Sequence, residues 1–364
     1  MDWGEWVSGE RSVANDGQEA VSSFASRVVC WQHHHGRHDL PWQTGDDAYR
    51  VWLSEIMLQQ TQVATVIPYF TRFVARFPDV QSLAAAREDA VLALWSGLGY
   101  YSRARNLHAA AGAIVAQHGG RFPDTQEELA ALPGIGRSTA AAIAALAFGR
   151  RCAILDGNVK RVLARHAGIE GWPGARAVET ALWQLAEARV PSRDVRAYTQ
   201  GLMDLGALVC TRQRPACGTC PLQADCVARE TGRSAELPAP RPRRALPEKS
   251  VAMLLLRDRG ELMLEKRPAR GVWGGLWSLP ELDPDADASA HCHARYGFEV
   301  RALRTLPTLN HAFTHFRLSI QPLELHLAPR GTTPPGQIWL APKDALDAAL
   351  PAPVRTLIVR LGDT

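Results

Sequence analysis

Four cysteines, Cys210, Cys217, Cys220 and Cys226, fall within seventeen residues. The spacing Cys-x6-Cys-x2-Cys-x5-Cys sets four soft thiolates on one short segment behind the apolar run GLMDLGALVC, a number and spacing that suit a single 4Fe-4S cluster. A zinc site is the rival. Modules with four cysteine ligands normally carry two Cys-x2-Cys knuckles, however, and only one occurs here. The other three, Cys30, Cys152 and Cys292, are scattered and read as plain thiols.

Two carboxylates stand in contrasting settings. Glu55 lies among Val51, Trp52, Leu53, Ile56 and Met57; apolar neighbours disfavour the anion, so its pKa should rise and leave a proton to give to a departing group. The plainer alternative is a glutamate on the solvated face of a helix. Asp156 is the one acid between Arg137 and Arg165, a stretch with six Lys or Arg. That basic surrounding should keep it ionised; the plainer reading is an N-cap for the helix that follows. Asp204, just before the cysteines, is a third candidate.

Between these acids, LPGIGRSTAAAIAALAFG places Gly134 and Gly136 in a tight turn immediately before an alanine-rich helix. Amides at such a helix start lack intrahelical partners and sit at the positive end of its dipole, so they can bind a phosphate without reading a base. On its own, Pro-Gly-x-Gly is equally a simple helix connector. The run His33-His34-His35 has no partner ligands in view and is assigned no function.

The elements that must position these groups are helical. Residues 21–229 read as successive amphipathic helices, with apolar residues at helical spacing in VWLSEIMLQQTQVATVIPYF, AVLALWSGLGYYSRARNLHAAAGAIVAQ and ALWQLAEA, punctuated at Phe77-Pro78-Asp79, Gly119-Gly120, Phe122-Pro123-Asp124 and Leu132-Pro133-Gly134. Residues 1–20 form an N-terminal tail, and 230–250 a linker whose LPAPRPRRALPEKS segment is too proline-rich for helix or ladder hydrogen bonds. From 251 to 364 short β-like runs, VAMLLLR, ELMLEKR, FRLSIQPLELHL and QIWL, precede helical DALDAAL and PVRTLIVRL, which predicts an α+β module. At 364 residues, 46% hydrophobic and 21% charged, the chain is a multidomain globular protein and not a disordered one. A formal charge of +4 permits a polyanionic partner without identifying it. No stretch of eighteen apolar residues and no secretory h-region occurs, so no membrane association and a cytoplasmic location are expected. In a reducing compartment an odd set of seven cysteines is not a disulfide framework.

CTRQRPACGTCPLQADC resembles the iron-sulfur loop of the endonuclease III and MutY glycosylases, and LPGIG followed by LDGNVKR resembles the helix-hairpin-helix-Gly/Pro-Asp signature of base-excision enzymes. LPWQ, WLSEIMLQQTQV and GLGYYSRARNL are similar to the adenine glycosylase branch in particular. This resemblance implies an all-α helix-hairpin-helix glycosylase domain bearing a 4Fe-4S cluster. In that family the cluster is not the reactive centre, and the loop's Arg212, Gln213 and Arg214 would contact DNA backbone. Glu55 would then be the general acid toward adenine N7, and Asp156 the stabiliser of positive charge at the deoxyribose C1′. Gln60, Tyr100, Gly134, Gly136, Ser138, Lys160 and Arg161 would contact DNA, with Gln60 and Tyr100 wedged near the lesion; Trp42, Leu58 and Asp204 would serve the adenine pocket. Bifunctional relatives carry a lysine nucleophile at the position of Ser138. A hydroxyl cannot form an imine, so the implied enzyme is monofunctional.

Residues 251–361 resemble a MutT-like (Nudix) fold, with LEKRPARGVWGGLWSLPE before the place of the metal motif. In that place stands LDPDADASAHCHARYGFEV, without the paired glutamates that hold Mg2+, so a lesion reader is implied and not a hydrolase. His311, Phe313, Thr314 and His315 are the residues it would use for 8-oxoguanine, Thr314 standing where relatives often have serine. The implied partner is duplex DNA with A:8-oxoguanine or A:G mispairs, met by a monomer on the bacterial nucleoid. The competing readings are a thymine or pyrimidine glycosylase and a noncatalytic DNA-binding or redox-sensing cluster protein.

Overall fold

The computed structural model describes residues 23–45, 47–242, 245–328 and 336–362; the expected N-terminal tail, 1–20, lies outside the described residues. In chain order the helices are α1 (Phe24–His35), α2 (Ala48–Leu58), α3 (Val63–Arg76), α4 (Val80–Ala84), α5 (Glu88–Trp95), α6 (Ser102–His118), α7 (Gln126–Ala131), α8 (Arg137–Phe148), α9 (Gly157–Ala167), α10 (Arg176–Arg189), α11 (Val195–Asp204) and α12 (Val227–Glu230). The strands and later helices are β1 (Glu248–Asp258), β2 (Glu261–Lys266), β3 (Trp277–Ser278), β4 (Glu281–Leu282), α13 (Ala288–Tyr296), β5 (Val300–Thr305), β6 (Leu309–Ala312), β7 (Arg317–Leu327), β8 (Gln337–Leu340), α14 (Pro342–Ala345) and α15 (Ala352–Gly362). Contacts divide the chain into two compact units, 1–60 with 113–243 and 61–112 with 244–364, a partition that cuts across the sequential segments drawn above. Among the described residues no helix is long and apolar enough to cross a membrane.

The first unit is helical. Its core gathers Val28 and Trp31 of α1, Ala141 and Ala142 of α8, Val159, Val162 and Leu163 of α9, Leu182 of α10, and Tyr198 and Leu202 of α11. Ala140, Ala141, Ala142, Ala144, Ala145 and Ala147 are buried along α8, and side chains this small let α2, α7 and α11 pack closely around that helix. Caps fix where the helices begin: Asp47 accepts from the Tyr49 and Arg50 amides at α2, and Asp156 from the Val159 amide at α9.

The second unit combines α3 to α5 and the start of α6 with an eight-stranded mixed sheet of order β3-β2-β1-β7-β5, in which β4 pairs β1, β6 pairs β7 and β8 pairs β2. β1 and β7 run parallel from Glu248 opposite Arg317 to Arg257 opposite His326. Alternate residues Ala252, Leu254 and Leu256 face a core with Met263, Cys292, Phe298, Leu325 and Trp339.

Three expectations need correction. The apolar periodicity across residues 51–70 and 90–117 is not continuous helix: each run breaks, between α2 and α3 at Gln60 (φ +57°), and between α5 and α6 at Gly97, Gly99 and Tyr100 (φ +97°, +77°, +50°). The second break is held by Arg103, a buried guanidinium that donates to the carbonyls of Leu98 and Gly99 and to Thr61 Oγ1, and lies 5.5 Å over the Tyr100 ring. A Cβ on Gly97 would come within 2.3 Å of Tyr69 Oη. The expected linker also ends early, because Glu248, Lys249 and Ser250 already pair with β7; β1 itself, from Glu248 to Asp258, contains no proline and so offers an amide at every position. Finally, DALDAAL is helical only through Ala345, with Pro351 following before α15. α13, β5 and β6 had no counterpart in the sequence reading.

Candidate active site

The hairpin is the turn between α7 and α8. Gly134 takes φ +77°, a left-handed value that a side chain would resist, and Gly136 is the N-cap of α8 with no side-chain cap. The first amides of α8 are therefore left for an outside acceptor. Ser138 accepts the Leu155 amide on its Oγ at 2.9 Å. It thereby ties α8 to the segment that delivers Asp156, and its hydroxyl is committed inside the protein.

Glu55 opens on a cavity of about 380 Å3 lined by Trp42, Gln43, Ser54, Leu146, Arg196 and Gln200, with His33, His38 and Gln32 on the α1 side. Burial, and secondarily the negative charge of Asp156, push the Glu55 carboxyl up to about 8. Asp156 is not itself among the lining residues, yet its charge is felt at Glu55, which brings the two acids within electrostatic reach. The expectation that the basic surroundings would set Asp156 is corrected. Burial is the larger influence and raises its pKa, while the amides of Val159 and Asn158 and the charges of Arg161 and Lys160 pull in the other direction. His33, assigned no function from sequence, is part of the cavity lining.

Other expected residues are placed differently. Asp204 is fully buried: Arg37 donates to it from its backbone amide at 2.8 Å, from Nε at 2.8 Å and from Nη2 at 2.5 Å, and Gln200 Nε2 donates at 2.8 Å. With its oxygens so engaged, Asp204 orients Gln200, and Gln200 is the residue that reaches the cavity. Leu58 ends α2 without lining the cavity. Lys160 is paired with Glu179 at 2.6 Å. Arg161 donates to the carbonyls of Cys210 at 2.7 Å and Gly206 at 2.6 Å and to Asn158 Oδ1 at 2.8 Å, so it braces α9 against the cysteine loop and is not held out toward solvent. Gly206 permits that approach, since a Cβ there would meet Asn158 Cβ at 2.6 Å. Arg37 and Gln200 were missed because Asp204, which connects them, is 167 residues from Arg37.

All four clustered cysteines line one pocket beside Val162, Arg165 and Leu222, and none is in a disulfide. Cys220 is pushed up to about 11, by burial first and then by the charges of Cys210, Cys226 and Cys217, so the four sulfurs stand within electrostatic reach of one another. Arg165 Nη1 lies 3.4 Å from Cys210 Sγ, a cation placed against the anionic ligands. Among the described residues no three His, Cys, Asp or Glu side chains converge on a single-ion site. A 4Fe-4S cluster takes one thiolate at each iron and suits this wider setting of four.

In the second unit a pocket of about 560 Å3 is lined by Tyr100, Arg105, Trp273, His311, Phe313, Thr314 and His315. His311 and Phe313 meet edge to face at 4.7 Å, Trp273 lies 5.4 Å from Phe313, and Phe313 stacks on Phe316 at 4.3 Å. Tyr100 Oη and Thr314 Oγ1 are 3.1 Å apart. The expected reader residues are thus gathered with Tyr100, and Trp273, held at φ +56°, is an addition the sequence did not signal as a site. Burial lowers the His311 pKa, which favours its neutral form.

Comparison with known proteins fits this construction. Residues 53–188 match the HhH-GPD superfamily of base excision DNA repair proteins, 210–226 the iron-sulfur binding domain of endonuclease III, and 251–360 the NUDIX domain. Fold and site define a helix-hairpin-helix DNA N-glycosylase with a 4Fe-4S cluster and a Nudix domain. The chain is 36% identical to an adenine DNA glycosylase of Buchnera aphidicola subsp. Acyrthosiphon pisum over 338 residues, 92% of this chain and 96% of that one. It is 36% identical to the Mus musculus adenine DNA glycosylase over 393 residues, covering 91% and 76%. It belongs to the adenine DNA glycosylase family. Among solved structures it is similar to a thermostable thymine-DNA glycosylase, at 28% identity and a TM-score of 0.53, over 59% of this chain and 99% of that one.

Proposed function

We propose that this enzyme excises adenine paired with 8-oxoguanine or guanine in duplex DNA, acting as a monofunctional, monomeric glycosylase in the bacterial cytoplasm. The observation that carries the reading is a carboxyl group raised to about 8 on an open cavity roomy enough to admit a nucleobase, beside a second carboxylate that influences it. With adenine extruded into that cavity, Glu55 is protonated at neutral pH and delivers its proton to N7. The C1′–N9 bond breaks with its electron pair going to the purine, and positive charge builds at C1′ and the ring oxygen. Asp156, fixed as the N-cap of α9, stabilises that charge. Water then adds to C1′ and releases a proton, which balances the one Glu55 gave.

Gln200, with its amide nitrogen committed to Asp204, has its carbonyl oxygen free to accept from the adenine amino group. The cluster supplies a folded, basic loop and no step of the reaction. With a hydroxyl at Ser138 no imine forms, so the sugar is left as an intact abasic site. Phosphate contacts fall to the hairpin amides, and Gln60 and Tyr100, each held in a strained backbone conformation, are set to wedge the duplex. Phe313 with His311, Thr314 and His315 reads 8-oxoguanine, by stacking and by hydrogen bonds. The division into a glycosylase segment, 21–229, and a C-terminal segment beginning at Glu248 is part of the same proposal.

Single-turnover base release on duplexes with A:8-oxoguanine, A:G and T:G pairs, each followed by mild alkali, tests it. The expected result is release in the first two, with strand breaks only after alkali. Release of thymine, or breaks without alkali, would overturn the substrate or the monofunctional assignment respectively.

A further inference from the structure

Arg165, in the last turn of α9, is almost completely buried, and its partners are not carboxylates. Nη1 donates to the Thr211 carbonyl at 2.7 Å and stands 3.4 Å from both the Cys210 carbonyl and Cys210 Sγ; Nη2 donates to the Arg212 carbonyl at 3.2 Å. These are the first residues of the cysteine loop. The remaining nitrogen, Nε, points to a different segment and donates to the carbonyl of Leu237 at 2.8 Å. Leu237 is buried at 3% exposure and opens the proline-rich linker. Two further contacts continue the docking: the Ala239 amide donates to the Gly171 carbonyl at 3.1 Å, and the Arg241 guanidinium lies 5.6 Å from the Trp172 ring centroid. The start of the linker, read from sequence as a free extended segment, is laid down on the first unit.

One planar guanidinium thus satisfies carbonyls from the start of the cysteine loop and from the start of the linker, beside the weaker Cys217–Ser234 contact between sulfur and hydroxyl at 3.9 Å. A guanidinium is a rigid fork, so shifting the loop carbonyls rotates Nε away from Leu237 as well. A buried cation without a carboxylate partner also needs negative charge nearby, which four thiolates holding the cluster would provide. We propose that Arg165 is the positioning residue that clasps the interdomain linker at Leu237 to the iron-sulfur loop, so that docking of residues 237–241 depends on the loop being held by its cluster. Release would lengthen the tether between the two modules by the five docked residues.

Hydrogen exchange of the full-length holoenzyme reads this directly. In residues 236–242 the prolines at 238, 240 and 242 carry no amide, so the signal of a peptide ending there rests on few positions, among them Ala239. In Arg165→Lys, which keeps the charge and loses the fork, Ala239 should exchange about tenfold faster or more, while α8, residues 137–148, keeps its wild-type protection. Wild-type protein stripped of iron by an oxidant and chelator should show the same local loss, which tests the cluster dependence even where the variant fails to fold. Arg241→Ala, which removes only the Trp172 contact, should leave the iron content at the wild-type value. Wild-type protection of Ala239 in iron-replete Arg165→Lys, or in the stripped protein, overturns the proposal. Loss of protection that extends equally to α8 also overturns it, because the linker would then be following general unfolding.

Discussion

The Glu55 cavity and the Phe313 pocket are made of opposite materials. The first sets polar and ionisable groups, Glu55, Gln200, Arg196, Gln32 and His38, beside Trp42, Val51 and Leu146, under strong mutual constraint: Asp204 is held by Arg37 and in turn holds Gln200. The second is aromatic, Trp273, His311 and Phe313 in edge and tilted contact, with hydroxyls from Tyr100 and Thr314 at its rim and no acid in its lining. Bond breaking requires a proton held at an unfavourable place, and burial supplies that by raising an acid. Reading a damaged base requires apolar area and a few directional donors, with no titration at all. On the proposed function, one chain keeps these demands apart by building them in different compact units.

The contrast predicts that substitutions in the first cavity strike the rate of bond cleavage and those in the second strike the choice of partner base. The largest effect is expected for Glu55→Gln, with single-turnover adenine release falling by about 10^3-fold or more while duplex binding stays near wild type; a rate within tenfold of wild type would end the assignment of Glu55. Asp156→Asn should follow at roughly 10^2- to 10^3-fold. Asparagine still N-caps α9, so an unchanged melting temperature would separate the lost charge from a lost fold. Because the Glu55 pKa is raised to about 8, the proton is present below that pH and lost above it, and release should fall about tenfold per pH unit well above 8. The same shift has a stability consequence. A raised acid contributes stability below its unfolded pKa that disappears as pH rises through the folded one, so Glu55→Gln should melt higher than wild type at pH 9, and equal melting there would contradict the shift.

A smaller and differently directed effect is expected in the aromatic pocket. Phe313→Ala should lower the preference for A:8-oxoguanine over A:G by about tenfold with little change on A:G itself, measured as the ratio of the two rates. Equal loss on both substrates would erase the division of labour between the pockets. The smallest effect is structural: Ser138→Ala removes the acceptor of the Leu155 amide and should cost about 1 kcal/mol, read as a fall of roughly 2–4 °C in melting temperature.

Much of this was legible before any coordinates. The four-cysteine spacing, the Gly134-Gly136 turn ahead of an alanine-rich helix, and a glutamate set among tryptophan and aliphatic residues are local patterns, and each denotes its chemistry through neighbours a few positions away. Local periodicity nevertheless ran through the breaks at Gln60 and Tyr100, because apolar spacing continues on both sides. The break at Tyr100 is enforced by Arg103, which takes up its carbonyls. The resemblance implies DNA contacts for Lys160 and Arg161, whose side chains are engaged by Glu179 and by the Cys210 carbonyl.

By itself, the sequence determined which groups could do chemistry, and where helices give way to strands, because residue type and short-range spacing govern pKa tendencies, ligand sets and hydrogen-bonding periodicity. Tertiary structure alone decided which of those groups share a cavity. The pairs Arg37 with Asp204 and Arg165 with Leu237 are 167 and 72 residues apart. Burial, which sets Asp156 more strongly than its basic neighbours do, likewise depends on packing by segments remote in the chain.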